Sequence, residues 1–308
     1  MTPDTLCGIL NVDKPLGPTS HDVVAHVRRL ARQRRVGHAG TLDPMATGVL
    51  LVCLGKATRV TRYLMDSTKT YQAAVHLGTS TTTDDIEGEI TDQRPVHVTR
   101  QEVEAVLGQF VGRLEQVPPM YAAIKQGGKP LYELARRGIA VERRPREIEI
   151  HSLQVTKWMP PMVHLEVHCG PGTYVRALAR DIGKALGCGA HLGALRRTAS
   201  GQFSVDDAVT LAQVEESFAK GIGATLLHPL DAAFYHLPAI HLDAGASLRL
   251  AMGQQVSDPE GVARSRRARA YGPGGRFLAL VCRDSDTGNW QPRKVFITPG
   301  EVPGTWVF

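Results

Sequence analysis

Gly37-His-Ala-Gly-Thr-Leu-Asp-Pro-Met-Ala-Thr-Gly48, running directly into Val49-Leu-Leu-Val-Cys-Leu54, is the stretch on which the fold turns. Its first half is glycine-rich and carries a single carboxylate, Asp43. Its second half is an apolar run long enough for a buried strand but well short of the ~20 residues that span a bilayer. Glycines let a backbone approach a ligand closely, and Pro44 restricts the conformation of Asp43. Asp-Pro is also an ordinary turn signal. On its residues alone, the segment reads as a loop with a poised carboxylate between a helix and a buried strand.

Outward from this loop, Gly8 to Pro15 is strand-like. A helix follows, capped by Thr19 or Ser20, with Val23, Val24, Val27, Leu30 and Ala31 on its apolar face. Downstream, Lys69 to Leu77 alternates, placing Tyr71, Ala73, Val75 and Leu77 together, and Gly78 closes it. Thr99-Arg-Gln-Glu102 forms a capping box for a helix that turns Val103, Val106, Leu107 and Phe110 inward. Residues 118–147 are basic and punctuated by Pro and Gly, with a brief helix around Leu131 to Arg137, and read as an insertion. Strand alternation returns over Ile148 to Val155 and Val163 to Cys169. The next helix buries Val175, Leu178, Ala179, Ile182, Ala185 and Leu186 and ends at Gly187 and Gly189. After about Leu237 the pattern changes to a short helix near Ala244 to Met252 and strands at Phe277 to Cys282 and Lys294 to Ile297. Strands and helices do not alternate regularly, so the fold class is α+β rather than a doubly wound sheet. The expected division is a catalytic domain over 1–236 and a small, mostly-β domain over 237–308.

An apolar fraction of 43% over 308 residues supports a substantial core. The N-terminus lacks the basic start and apolar run of a secretory signal, so a soluble, cytoplasmic protein is expected. Five cysteines without a CxxC pair argue against both a zinc site and a disulfide framework. His164, Glu166 and His168 share a strand face but read as its solvated side, and no metal is expected. Gly48 to Lys56 has the wrong spacing for a phosphate loop. The net charge is +6, unevenly spread. Arg28 to Arg35, Lys125 to Arg146, and Arg264, Arg266, Arg267 and Arg269 form three basic patches, which together suit a polyanion touching the protein at several places.

The Asp43 loop resembles the catalytic motif of the TruB family of tRNA pseudouridine synthases, shared in part with the Cbf5/dyskerin group. Five further stretches match in family order: Lys14-Pro-Leu-Gly-Pro-Thr-Ser-His21; Lys69-Thr-Tyr71 with Leu77 to Asp85; Pro118 to Lys125; Gly172-Thr-Tyr-Val-Arg176 through Gly183; and His191 to Thr198 with Gly201-Gln-Phe203. The resemblance implies a pseudouridine synthase fold with a mixed, largely antiparallel sheet. It also implies a thumb-like RNA-gripping insertion and a terminal PUA-like RNA-binding domain.

Pseudouridine formation breaks the N1–C1′ bond of uridine, turns the base and rejoins it through C5. Atoms are conserved, so no cofactor is called for. By resemblance Asp43 is the catalytic carboxylate and Arg176 its partner, expected to lower the carboxylate pKa by about 1–3 units. Tyr71 is placed against the uracil, for stacking and proton transfer. Lys14, His38, Tyr174, Arg180 and Leu195 are implied at the substrate site, and Arg136, Arg137, Arg143 and Arg144 on the RNA-gripping insertion. The expected partner is the T-arm of tRNA, with position 55 as target, bound by a monomer with no obligatory protein partner. A guide-dependent Cbf5-type synthase and an RNA-binding tRNA chaperone are the alternatives.

Overall fold

The computed structural model describes residues 6–121, 125–126, 129–130, 141–257 and 265–302. Its central strand, β3 (Ala46–Leu54), is buried at every position but Thr47. Burial on both faces explains why it reads as a continuous apolar run rather than an alternating one. Ala46, Leu50, Val52 and Leu54 enter one core, while Val49, Leu51 and Cys53 enter another on the opposite face.

The first core lies under α1 (Ser20–Leu30) and α4 (Val175–Ala185). Thr19 caps α1, accepting from the Asp22 amide in a full capping box, and Thr99 does the same for α3 (Arg100–Leu107). The second core is closed by short 3-10 turns and by Leu280 and Phe296 of the C-terminal region. Between α1 and α3 lie α2 (Thr61–Met65) and β4 (Lys69–Leu77); α5 (Leu211–Ala219) follows α4.

Among the described residues the main sheet has 11 strands. β1 (Gly8–Lys14) pairs with β3 antiparallel from Gly8↔Leu54 to Lys14↔Gly48. β5 (Gly112–Gln116), β6 (Arg146–Met159), β7 (Met162–Cys169), β8 (Ala190–Ser200) and β9 (Val209–Thr210) complete its main path. The order is β9-β1-β3-β8-β4-β7-β6-β5. β1–β9 and β3–β8 are parallel and the other neighbours on this path antiparallel, giving the mixed, largely antiparallel sheet expected.

Two elements depart from the sequence reading. Residues 37–48 are not one loop: Val36–Ala39 form β2, paired antiparallel with Leu51 to Leu54 of β3. Only residues 40–45 remain as the connection, a tight hairpin bearing Asp43. In the C-terminal region, β10 (Ala239–His241), β11 (Arg267–Tyr271), β12 (Phe277–Arg283) and β13 (Trp290–Val295) form a four-stranded sheet with α6 (Ala244–Ala251) packed on it. The last strand therefore begins earlier than Lys294. The helix read over Leu131 to Arg137 lies outside the described residues.

α4 sits close on β8 because Gly183 lacks a side chain: a Cβ there would stand 2.2 Å from the Ala190 nitrogen. Gly183→Ala is therefore expected to lift α4 from the sheet, at a cost of about 1–3 kcal/mol. Calorimetry should show a melting temperature several degrees lower, and an unchanged melt would refute the contact.

Candidate active site

Asp43 stands on a hairpin in which the carbonyls of Gly40, Leu42, Asp43 and Pro44 are held. Gly40 O accepts from Arg197 Nη2 at 3.0 Å, and Leu42 O accepts from Ser20 Oγ at 2.9 Å, which in turn accepts from the Leu42 amide. Asp43 O accepts from the Ala46 amide, and Pro44 O from the Gly17 amide. Lys14 Nζ donates to Pro15 O, Pro44 O and Ala46 O at 2.9, 3.3 and 2.7 Å. Lys14 is wholly buried, and burial lowers its pKa to about 8. Its ammonium is spent on the loop's backbone, so its position is explained by structure rather than by contact with RNA.

Arg176 projects from the first turn of α4 into this hairpin. Nε lies 3.0 Å from Asp43 Oδ2 and Nη2 3.2 Å from Oδ1, a two-point fork. The remaining donors go to Tyr121 O and Thr83 O, and Nη1 is 3.4 Å from Asp85 Oδ2. Arg176 and Asp85 are almost fully buried, whereas 34% of the Asp43 side chain is open to the cleft. Asp85 is fixed by the Glu87 amide and the Thr83 hydroxyl. The sequence contained Asp85 within the Leu77 to Asp85 motif, but its spacing from Arg176 gave no signal of this contact.

This arrangement corrects the expected pKa. Burial raises the Asp43 carboxyl above the usual carboxylate range; Arg176 opposes the rise, Asp85 adds to it and Lys14 opposes it. One guanidinium divided between two carboxylates does not offset the desolvation.

Around Asp43 stand several of the other expected residues. Tyr71 on β4 is buried, and burial raises its pKa against the opposing pull of Arg197, so the phenol remains protonated at neutral pH. Leu195 on β8 faces Ala73 of β4 on one side and Ala46 of β3 on the other. His38 lies on β2; burial and nearby Arg197 lower its pKa, keeping the ring neutral near pH 7. Tyr174 begins α4, its amide and carbonyl both held by Gln116. Arg180, one turn beyond Arg176, is committed to Asp84, Asp181 and Val117 O, bracing the segment that carries Asp85. Arg143 donates to Pro118 O and Arg144 is exposed. Arg136 and Arg137 lie outside the described residues.

Sequence reasoning gave no role to Arg197. It is buried at 2% exposure, and its Nε donates to Val49 O at 2.7 Å. A buried cation held by backbone carbonyls leaves no periodic signal. Among the described residues no group of three His, Cys, Asp or Glu side chains could hold a metal ion. No helix there is long and apolar enough to cross a membrane.

Residues 28–175 match the family model described as TruB family pseudouridylate synthase, N-terminal domain. Residues 176–234 match the tRNA pseudouridylate synthase B C-terminal domain. The chain belongs to the TruB family of tRNA pseudouridylate synthases. It is an isomerase that makes pseudouridine. Among curated relatives, the tRNA pseudouridine synthase B of Dehalococcoides mccartyi is 44% identical over 302 residues, covering 96% of this chain and 98% of that protein. That of Cupriavidus metallidurans is 46% identical over 282 residues, covering 89% and 90%. Among solved structures, a Cbf5–Nop10–Gar1 complex contains a chain with a TM-score of 0.76 and 27% identity, covering 99% of this chain and 93% of that one. An H/ACA RNP bound to a substrate RNA containing 2′-deoxyuridine gives 0.75 and 27%, covering 98% and 89%.

A carboxyl whose pKa is raised by folding binds its proton more tightly in the folded chain. Its ionisation therefore costs stability once the pH rises through the folded pKa, and that cost disappears below the unfolded value. Asp43→Asn is accordingly expected to melt at or above the wild-type temperature at neutral pH, with the gap closing as the pH falls. A lower melting temperature at pH 7 would show that the Arg176 fork outweighs the desolvation.

Proposed function

We propose that this chain isomerises a uridine in the T-loop of tRNA, position 55, with Asp43 as the catalytic carboxylate. The observation that carries the reading is the fork between Arg176 and Asp43 on a clamped, cleft-facing hairpin. A carboxylate acting on the sugar–base bond must be ionised and fixed while water is excluded. Arg176 opposes the desolvation that favours the neutral acid, and the clamped carbonyls supply the fixity.

The target base must leave its stack, at a cost of a few kcal/mol. In this reading the extruded uracil lies between the Tyr71 ring and Leu195, beside Asp43. The neutral ring of His38 occupies the space left behind, where an uncharged ring stacks without desolvating a cation. Because Tyr71 stays protonated, its hydroxyl serves the base as a hydrogen-bond donor rather than as a general base. Arg144 and the basic insertion hold phosphates, and the terminal four-stranded domain is assigned as a PUA-like RNA-binding unit beginning near residue 237. The chain is assigned as a self-sufficient monomer. The choice of tRNA as substrate is supported by near full-length similarity to proteins named as tRNA pseudouridine synthase B.

Purified protein alone should convert one uridine in an isolated T-arm hairpin. Asp43→Asn should abolish conversion and keep hairpin binding within a few-fold, since shape is retained while the charged oxygen is lost. Tyr71→Phe should slow conversion more than it weakens binding. Activity that appears only after a guide RNA and partner proteins are added would instead place the chain with the guide-dependent enzymes.

The acid limb of the rate profile should follow Asp43. Its pKa is raised in the folded chain, so activity should fall as the pH drops through a midpoint above the usual carboxylate range. A midpoint at or below that range, measured by single-turnover kinetics on the hairpin, would contradict the burial-dominated environment.

A further inference from the structure

Among the described residues, Asp84 is one of two residues other than glycine with a left-handed backbone, at φ 62°. Such a conformation costs free energy in a residue that bears a side chain, and it persists where the surroundings hold it. Here they hold it from two sides. Asp84 O accepts from the Leu192 amide of β8 at 3.0 Å, and Leu192 O accepts from the Ile86 amide at 3.0 Å. Asp84 Oδ2 accepts from Arg180 Nη1 of α4 at 3.0 Å, with 14% of the aspartate side chain exposed. The turn so held delivers the next residue, Asp85, to Arg176.

Arg180 ties a second segment to the first. Its Nη2 donates to Val117 O at 3.0 Å, while Nε and Nη2 reach Asp181 Oδ1 and Oδ2 at 2.9 and 3.2 Å. Every guanidinium nitrogen therefore has a partner within the protein. Val117 follows directly on β5, and the next carbonyl, Pro118 O, accepts from Arg143 Nη1 at 2.9 Å. This is the root of the basic insertion.

Arg176 draws its acceptors from the same two segments. Thr83 O and Asp85 stand on one, and Tyr121 O on the other at 2.8 Å. Arg176 and Arg180 lie one turn apart on α4, so two guanidinium groups bridge one pair of segments. The first ends on Asp43; the second touches no group assigned to the reaction. An exposed ion pair contributes little, but this one is largely covered and joins three stretches of chain. A displacement of about 1 Å in a group that orients the reacting atoms can cost on the order of a hundredfold in rate.

We propose that Arg180 and Asp84 are a positioning pair for the isomerisation, and that Arg180 is not a contact to RNA. Together they hold residues 83–85 and 117–121 at the spacing at which Arg176 meets all of its acceptors. Arg176 is thereby kept on Asp43 in the productive geometry, and the strained turn at Asp84 is the part of the brace that sets the direction of Asp85. The inference rests on Asp43 being the catalytic carboxylate.

The test is single-turnover conversion of the T-arm hairpin across pH, for Arg180→Gln, Asp84→Asn and the double variant. Asparagine tolerates the left-handed region, so Asp84→Asn removes the charge and keeps the turn. Each single variant should lower the rate constant by about 10- to 100-fold, with the hairpin Kd within about threefold of wild type. The charged groups about Asp43 are Arg176, Asp85 and Lys14. With Arg176 no longer held in place, the acid limb should move to higher pH, because less opposes burial at Asp43. The double variant should be no slower than the slower single one, since the two residues act as a unit. The rate constant of the folded enzyme does not depend on how much of it is folded. A lower melting temperature with the rate constant and acid limb of wild type would therefore reduce the pair to a structural brace and overturn the proposal. Losses that add in the double variant, or a fall in hairpin affinity that accounts for the fall in rate, would overturn it too. Conversion that survives in Asp43→Asn would sink the reading of Asp43 instead, so the two failures are told apart.

Discussion

Everything in the catalytic cleft depends on one buried guanidinium that must serve two carboxylates. Arg176 grips Asp43 with two nitrogens and touches Asp85 with a third, and its other acceptors are the carbonyls of Thr83 and Tyr121. A cation of this kind is tolerated in the interior because every donor direction is met. Asp43 alone of the three keeps substantial access to the cleft. The asymmetry matters: Asp85 anchors the arginine from behind, and the arginine presents a carboxyl group that is oriented and open on one side. Preorganisation of this sort stabilises a developing charge without reorganisation during reaction.

The hairpin beneath Asp43 is held by the same logic with different chemistry. Lys14 and Arg197 are both buried cations whose donors end on backbone carbonyls of the loop or its flanking strands. Neither relies on a carboxylate partner. Their dispersed acceptors fix a backbone shape rather than a pair of side chains, which suits a loop whose function is to hold one residue still.

Much of this was legible in the amino-acid order, and the remainder was hidden for definite reasons. The β3 run announced a buried strand, the capping box at Thr99 marked one helix start to the residue, and Thr19 or Ser20 bracketed another. Asp43 and Arg176 could be paired through the family resemblance, although they lie 133 positions apart. β2 escaped because four residues with one glycine and one histidine carry no periodic pattern; it exists only through its pairing with β3. β11 escaped because Arg-Ala-Arg-Ala-Tyr buries alanine and exposes arginine, so its inward face lacks the bulky apolar residues that mark a strand. The sign of the Asp43 pKa was missed since charge partners are visible in a sequence motif whereas desolvation is a property of the packed surroundings.

The position of β8 in the main sheet has a consequence for how the molecule is made. β3 and β4 each pair with β8 and not with one another, so the Asp43 hairpin and Tyr71 are joined in one sheet only through a strand ending at Ser200. A ribosome must therefore extrude some two-thirds of the chain before these two side chains can share a cleft. Until then the nascent polypeptide carries basic surface without a finished catalytic centre, and its half-built sheet exposes the edges of β3 and β4. Such unpaired edges invite misassociation. Speed of synthesis through the segment between β4 and β8 thus becomes a determinant of yield, independent of the stability of the finished fold.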